Sequence, residues 1–349
     1  MTPKLVISLA LVAGISTAGA VIAYRSNNVF VPVAGVGEKV VVGLEDKINS
    51  VRAITVEQGT DKLELIFKND AWQVKKSGYP LSPEKVRTAL VGLVNLTKLE
   101  AKTANKEKYL LIDVDGPGQK NGRGRQFSLL DKGGKLVASI VVGKVLAGKA
   151  GPGRDAQYVR LAKEKTSWLA LGSVSATPAL PTWVEPRFLK LDVDSVILGR
   201  IEHRDGEVVA VQRTGEDKNG SSTFEMLNVP EGRKTRSSTR LKFVATDLVN
   251  LDMIDVRRKK ANTKPVTTAT IEMKDGLKIK FWLVEEAPQG GGKPQGWVSF
   301  EVIEQGSDKA KANSISARTN GWEFLVADHK VDAFKKRTEK LLYKEKKAN

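Results

Sequence analysis

Cysteine is absent from the 349 residues of this chain. That excludes thiol catalysis, disulfides, thiolate-held zinc or iron–sulfur sites and a lipid-modified cysteine anchor. Histidine is nearly as scarce: His203 and His329 are the only two, and they lie too far apart for a His-x-x-x-His metal-binding pattern. Neither a phosphate-binding Gly-x4-Gly-Lys-Ser/Thr loop nor a Gly-x-Ser-x-Gly nucleophile turn occurs. The glycine-rich stretches 122–124, 148–153 and 289–292 precede or separate extended segments and read as hairpin connections. Aromatic residues make up 6% of the chain, and the basic runs lack the interleaved rings on which single-stranded nucleic acid stacks. Nucleic acid is therefore not an expected partner, and the sequence calls for no cofactor and no metal.

A single long uncharged run stands out. Residues 5–23 (LVISLALVAGISTAGAVIA) carry no charge and are bracketed by Lys4 and Arg25. As a helix rising about 1.5 Å per residue, such a run reaches close to the ~30 Å hydrocarbon thickness of a bilayer. It reads as a signal anchor. The alternative is a cleaved signal peptide, with Ala18-Gly19-Ala20 as the cleavage site. Either reading exports the rest of the chain. A cysteine-free exported chain suits a bacterial periplasm, so the expected location is the bacterial inner membrane, single-pass, with the bulk periplasmic.

Lys and Arg number 57 against 40 Asp and Glu, a formal charge of +17. The excess is spread along the chain with two local peaks. One joins Arg257, Arg258, Lys259 and Lys260 to Arg233, Lys234, Arg236, Arg240 and Lys242. The other is the tail from residue 335 onward. These nine residues are the candidate contacts for an anionic partner, such as lipid headgroups or envelope polysaccharide; a solvated, self-repelling surface is the plainer reading. Two carboxylate pairs, Asp113/Asp115 and Asp192/Asp194, fall at unit boundaries among turn residues. They lack the further oxygen ligands of a calcium loop and read as turn formers. Trp72, Trp168 and Trp183 fall where strands or helix ends pack and read as core.

Hydrophobic periodicity organises the remainder. Residues 51–57 alternate with period two, 63–68 less strictly, and Trp72-Gln73-Val74 completes a meander. Ser82 and Pro83 fit the cap and first position of a helix whose stripe is Val86, Leu90, Leu93 and Val94. Residues 125–130 and 136–142 form a hairpin, and 157–161 and 167–170 are further strands. The same order recurs: strands at 193–202 and 207–214, Phe224 in place of Trp72, a helix over 238–251, and a hairpin at 267–273 and 278–284. The expected fold class is therefore α+β: an N-terminal transmembrane helix, two tandem repeats of antiparallel strands with one main helix each, and a small C-terminal strand–helix element. The expected boundaries are 1–25 anchor, 26–47 linker, 48–190 and 191–288 repeats, and 289–349 the C-terminal element with its basic tail.

The run Ala71-Trp72-Gln73-Val74 … Gly78-Tyr79-Pro80-Leu81-Ser82-Pro83-Glu84-Lys85-Val86 … Leu90-Val91-Gly92-Leu93 resembles domain-of-unknown-function family 4340. So do Tyr158-Val159-Arg160-Leu161, Ser167-Trp168-Leu169 and Trp183-Val184-Glu185-Pro186-Arg187-Phe188-Leu189. The likeness covers roughly residues 50–285. The chain departs from the pattern at Phe224 and at Ile112-Asp113-Val114-Asp115. The resemblance implies a membrane-anchored envelope repeat protein, with some relatives associated as auxiliary subunits with gliding-motility-type ABC exporters, and it supplies no catalytic residues. The expectation is a non-enzymatic accessory or scaffold subunit of an export complex. A binding module for anionic polysaccharide or lipid headgroups is the alternative, and an envelope hydrolase a more distant one.

Overall fold

The computed structural model describes residues 34–288 and 290–343. A short helix α1 (Leu44–Lys47) leads into the meander β1 (Val51–Gln58), β2 (Asp61–Lys68) and β3 (Ala71–Val74). Helix α2 (Pro83–Asn95) follows, capped where Ser82 Oγ accepts the Lys85 N–H, with Pro83 in its first turn. Its inward face is Val86, Ala89 and Leu93. Then come β4 (Thr97–Ala101), β5 (Arg125–Asp131), β6 (Leu136–Leu146), β7 (Ala156–Leu161) and β8 (Ser167–Leu171). All eight strands join one antiparallel sheet of order β3-β2-β1-β5-β6-β7-β8-β4.

The helix dictates how that sheet bends. At one edge the Leu81 N–H donates to Trp72 O on β3 at 2.8 Å; at the other, β4 begins two residues after α2 ends. Thus α2 runs from edge to edge, yet 13 helical residues span only ~20 Å. Eight flat strands at ~4.8 Å spacing would hold their outer strands ~34 Å apart. The sheet must therefore curl around the helix, whose Val86 and Leu93 are buried in the same core as Phe127, Leu129 and Ile140.

A connecting segment carries β9 (Arg187–Lys190), and the second unit repeats the first strand for strand. It runs β10 (Val196–His203), β11 (Val208–Glu216), β12 (Ser222–Met226), α3 (Ser238–Thr246), β13 (Asn250–Asp252), β14 (Asp255–Arg258), β15 (Thr267–Met273) and β16 (Leu277–Glu286). It continues through β17 (Gln295–Gln305), α4 (Lys309–Thr319), β18 (Trp322–Leu325), α5 (Asp328–Phe334) and α6 (Thr338–Leu341). The second sheet has order β12-β11-β10-β15-β16-β17-β18-β14, the order of the first with each strand replaced by its counterpart. β9 and β13 form a two-stranded ribbon.

Two parts of the expected architecture need correction. The fold is mostly β-sheet rather than α+β, and the C-terminal strands are not a separate element. β17 pairs with β16 from Leu277↔Gln305 to Glu286↔Gln295, and β18 sits between β17 and β14. The physical reason is backbone accounting: a strand needs hydrogen-bonding partners on its flanks, and consecutive antiparallel strands find them in each other. The glycine stretch 290–292, read from sequence as a hairpin connection, lies in the loop between β16 and β17; what needs correction is the unit boundary drawn at 288/289. The expected transmembrane helix at 5–23 lies outside the described residues; among those described, no helix is long and apolar enough to cross a membrane.

Candidate functional site

The repeats meet over a shared apolar core. Tyr79, just before α2, packs edge-on against Trp322 of β18 at 4.9 Å and against Phe324 at 6.1 Å. Phe188 of β9 stacks on Phe324 at 4.1 Å. Trp183 is fully buried, and its backbone carbonyl accepts the Ser82 N–H at the start of α2. Beside this junction lies an open cleft of about 1370 Å³. One wall comes from the first repeat: the β1–β2 turn around Gly59, the end of β3 at Val74 with residues 75–77 after it, and the 177–180 loop. The other is β14 with Ile254 before it, flanked by Glu286 and Trp297.

The β14 wall is braced by ions. Arg257 Nε donates to Glu323 Oε2 at 2.8 Å, and its two terminal nitrogens donate to Glu286 at 2.7 and 3.0 Å. Its guanidinium lies 3.9 Å from the Trp297 ring centre, an attractive cation–π geometry. Lys260 reaches Glu286 from the other side at 2.7 Å. The hydrogen bonds from Arg257, and then from Lys260, hold the Glu286 carboxyl down to about 2. Glu323 is 1% exposed, a buried carboxylate whose charge is met by Arg257.

The nine cationic candidates do not gather on one face. Arg257 and Lys260 belong to the cleft network; Arg258 lies over Trp322 at 3.7 Å. Lys259 pairs with Glu301 at 3.5 Å and lies over Trp282 at 4.6 Å. The other five flank or lie on α3, which packs against β10, β11 and β12, at the opposite end of the sheet order from β14. Arg233 pairs with Glu339 and Arg236 donates to Leu342 O. Lys234 accepts the Tyr343 N–H through its carbonyl. Lys242 pairs with Asp194 at 3.3 Å, while Arg240 sits in the first turn of α3.

The remaining candidates serve the fold. Nε2 of buried His203 lies 2.9 Å from Lys336 O, and His329 is exposed in α5. No group of three or more metal-binding side chains gathers among the described residues. Asp192 accepts from the Asp194 N–H and from Ser195 Oγ in a tight turn. Asp115 is buried and accepts the Gly124 N–H. A Cβ at Gly122 would lie 2.3 Å from Asp115 Oδ2 and one at Gly124 2.2 Å from Asp115 O, so this loop has glycine for close packing. Sequence reading missed Glu286, Trp297 and Glu323. Their trace was faint: a Glu-Glu pair closing the alternating β16, and one Glu inside the otherwise apolar Trp322–Leu325.

The architecture is that of a duplicated antiparallel β-sheet protein whose repeats enclose an open, ion-braced cleft at their junction. Residues 72–270, more than half of the chain, match the family described as Domain of unknown function (DUF4340), and the chain belongs to that family. The matched span starts in β3 of the first repeat and ends within β15 of the second, so it cuts across both structural units. No curated protein and no solved structure matches the chain.

Proposed function

We propose that this chain is a non-enzymatic envelope protein, located at the bacterial inner membrane with its bulk in the periplasm. In this reading it serves as an accessory or scaffold subunit of an ABC-type export complex. The observation that carries the docking role is the cleft between the repeats. It is wide, open to solvent and lined by side chains of both halves, among them Trp297 and the half-exposed Ile254. Surfaces of this mixed character, with apolar side chains inside a charged rim, suit protein contact. Export rests on the uncharged run at 5–23, and the transporter association rests on the family resemblance. In the alternative reading, anionic polysaccharide or lipid binding, Arg257, Lys259 and Lys260 would have to leave carboxylates that already hold them.

The test is a mild-detergent pull-down of the tagged full-length protein from its native membranes, read by mass spectrometry, beside a version lacking residues 1–25. Transporter subunits are expected to co-purify in stoichiometric amount with the full-length chain. Recovery of the protein alone from well-solubilised membranes would overturn the accessory role.

A further inference from the structure

Two eight-stranded open sheets have four edges, β3, β4, β12 and β14, and an uncovered edge is a template for another strand. The chain closes three of them with its own groups. Outside β3, residues 79–81 run alongside, with Val74 and Leu81 N–H groups donating to Tyr79 O and Trp72 O. Outside β4, residues 37–40 exchange hydrogen bonds with Leu96 and Lys98. On β12, Ser238 Oγ accepts the Phe224 N–H. For β14 no other described segment does this. The Lys259 N–H, one residue beyond β14, donates toward β18 at Gly321 O, so by antiparallel alternation the backbone groups of Val256 and Arg258 face outward. Among the described residues, the Val256 N–H is met only by the side chain of its neighbour, Asp255 Oδ1, at 2.8 Å. That outer edge borders the cleft.

The structure assigns a role to this edge: it receives an extended, acidic segment of a partner protein as an added strand beside β14. Addition supplies main-chain hydrogen bonds, and side chains of the cleft supply selectivity. Charge selects the occupant. Seven basic and four acidic side chains line the cleft. Lys76 and Lys120 on the facing wall have no ion partner among the described residues, and Arg258 meets only the Trp322 ring. A second copy of this chain would set Arg257 and Arg258 against their own counterparts, which like-charge repulsion disfavours; alternating carboxylates would meet Arg258, Lys76 and Lys120. This inference rests on the docking role proposed above and names the chemistry of what docks.

The test uses the full-length protein in mild detergent and a fluorescein-labelled Glu-Val-Glu-Val-Glu-Val-Glu peptide, followed by anisotropy. Saturable binding is expected, at least tenfold weaker when Lys replaces Glu in the peptide. N-methylating the peptide on one alternating set of amides should weaken binding at least tenfold, while methylating the other set leaves it unchanged. Arg258→Pro, which removes an outward N–H that the sheet does not use, should bind at least tenfold more weakly than Arg258→Ala at equal thermal stability. No binding, or indifference to both methylation patterns, would overturn strand addition. If the peptide binds as described but the native protein comes out of membranes alone, the edge inference stands and the export-complex role falls. If transporter subunits co-purify equally with Arg258→Pro, the role stands and the edge inference falls.

Discussion

Replacing Arg257 with Met should be among the most damaging single changes at the cleft, and the reason is Glu323. That carboxylate is 1% exposed and takes a 2.8 Å hydrogen bond from Arg257 Nε. Removing one partner of a buried ion pair leaves an uncompensated charge and costs about 3–5 kcal/mol. The other losses are smaller. Glu286 is partly exposed and keeps Lys260, so its share is about 0.2–1 kcal/mol, as for a surface pair. The contact with Trp297 is worth about 0.5–1 kcal/mol. The expected destabilisation of Arg257→Met is therefore about 4–7 kcal/mol, most of it from the stranded carboxylate. Urea unfolding followed by tryptophan fluorescence would measure it. The companion Arg257→Met/Glu323→Met should recover most of the loss, because replacing both partners of a buried pair by apolar groups of similar volume is close to neutral. A single-variant loss under about 1 kcal/mol, or a double variant no more stable than the single, would refute the assignment of that cost to Glu323.

Further outcomes follow from the same structure. Glu286 is held at about 2, down from 4.5, by Arg257 and Lys260; its contribution is thus complete above pH ~4.5 and lost as pH falls through about 2. Acid titration of unfolding should show wild type losing about 1–2 kcal/mol more than Glu286→Gln between pH 5 and 2, a figure reduced for solvent screening. Gly199 of β10 lies under α3, where a Cβ would come 2.5 Å from Ala245 Cα. Gly199→Ala should cost about 1–3 kcal/mol by overpacking, read by denaturant midpoint. Tyr79→Ala removes the ring that packs on Trp322 and Phe324 across the junction. It should cost about 3 kcal/mol and split thermal unfolding into two calorimetric transitions, one for each repeat.

Local pattern made much of this fold readable. Alternation in residues 51–57 marks β1, and Ser82-Pro83 marks the start of α2, because cap and period are written in adjacent residues. What was not readable is which edge a late strand joins. The glycines at 290–292 read as a hairpin connection, but the second unit's order reads as complete after its hairpin at 267–273 and 278–284. The boundary therefore falls at 288/289, and β17 and β18 are assigned to a separate element, although they complete the second sheet. The cleft network was hidden for a related reason. In Arg257-Arg258-Lys259-Lys260 the four cations look alike, yet strand alternation turns Val256 into the core and sends Arg257 to the face shared by Trp297 and Glu323. Side-chain direction depends on register, and the register of β14 against β18 is a contact between residues more than 60 apart in sequence.

The segment joining the repeats is what makes the cleft a fixed shape. Trp183 and Val184 are tied to the first repeat, through the Ser82 N–H to Trp183 O and a 2.6 Å bond from Lys85 Nζ to Val184 O. Four residues on, Phe188 is stacked on Phe324 of the second repeat, and Leu189 pairs with Leu251 in the β9–β13 ribbon. A connection anchored so closely to both sides leaves little slack, and the two walls cannot shift apart without exposing Trp183, Phe188 and Tyr79 together. Each such ring carries roughly 2–3 kcal/mol of burial, so opening is costly. A partner strand entering beside β14 thus meets walls already in place and does not have to order the receptor, a cost that otherwise subtracts directly from affinity. The duplication is then more than two copies of one sheet: the cleft, and with it the proposed docking surface, exists only where the second copy is held against the first.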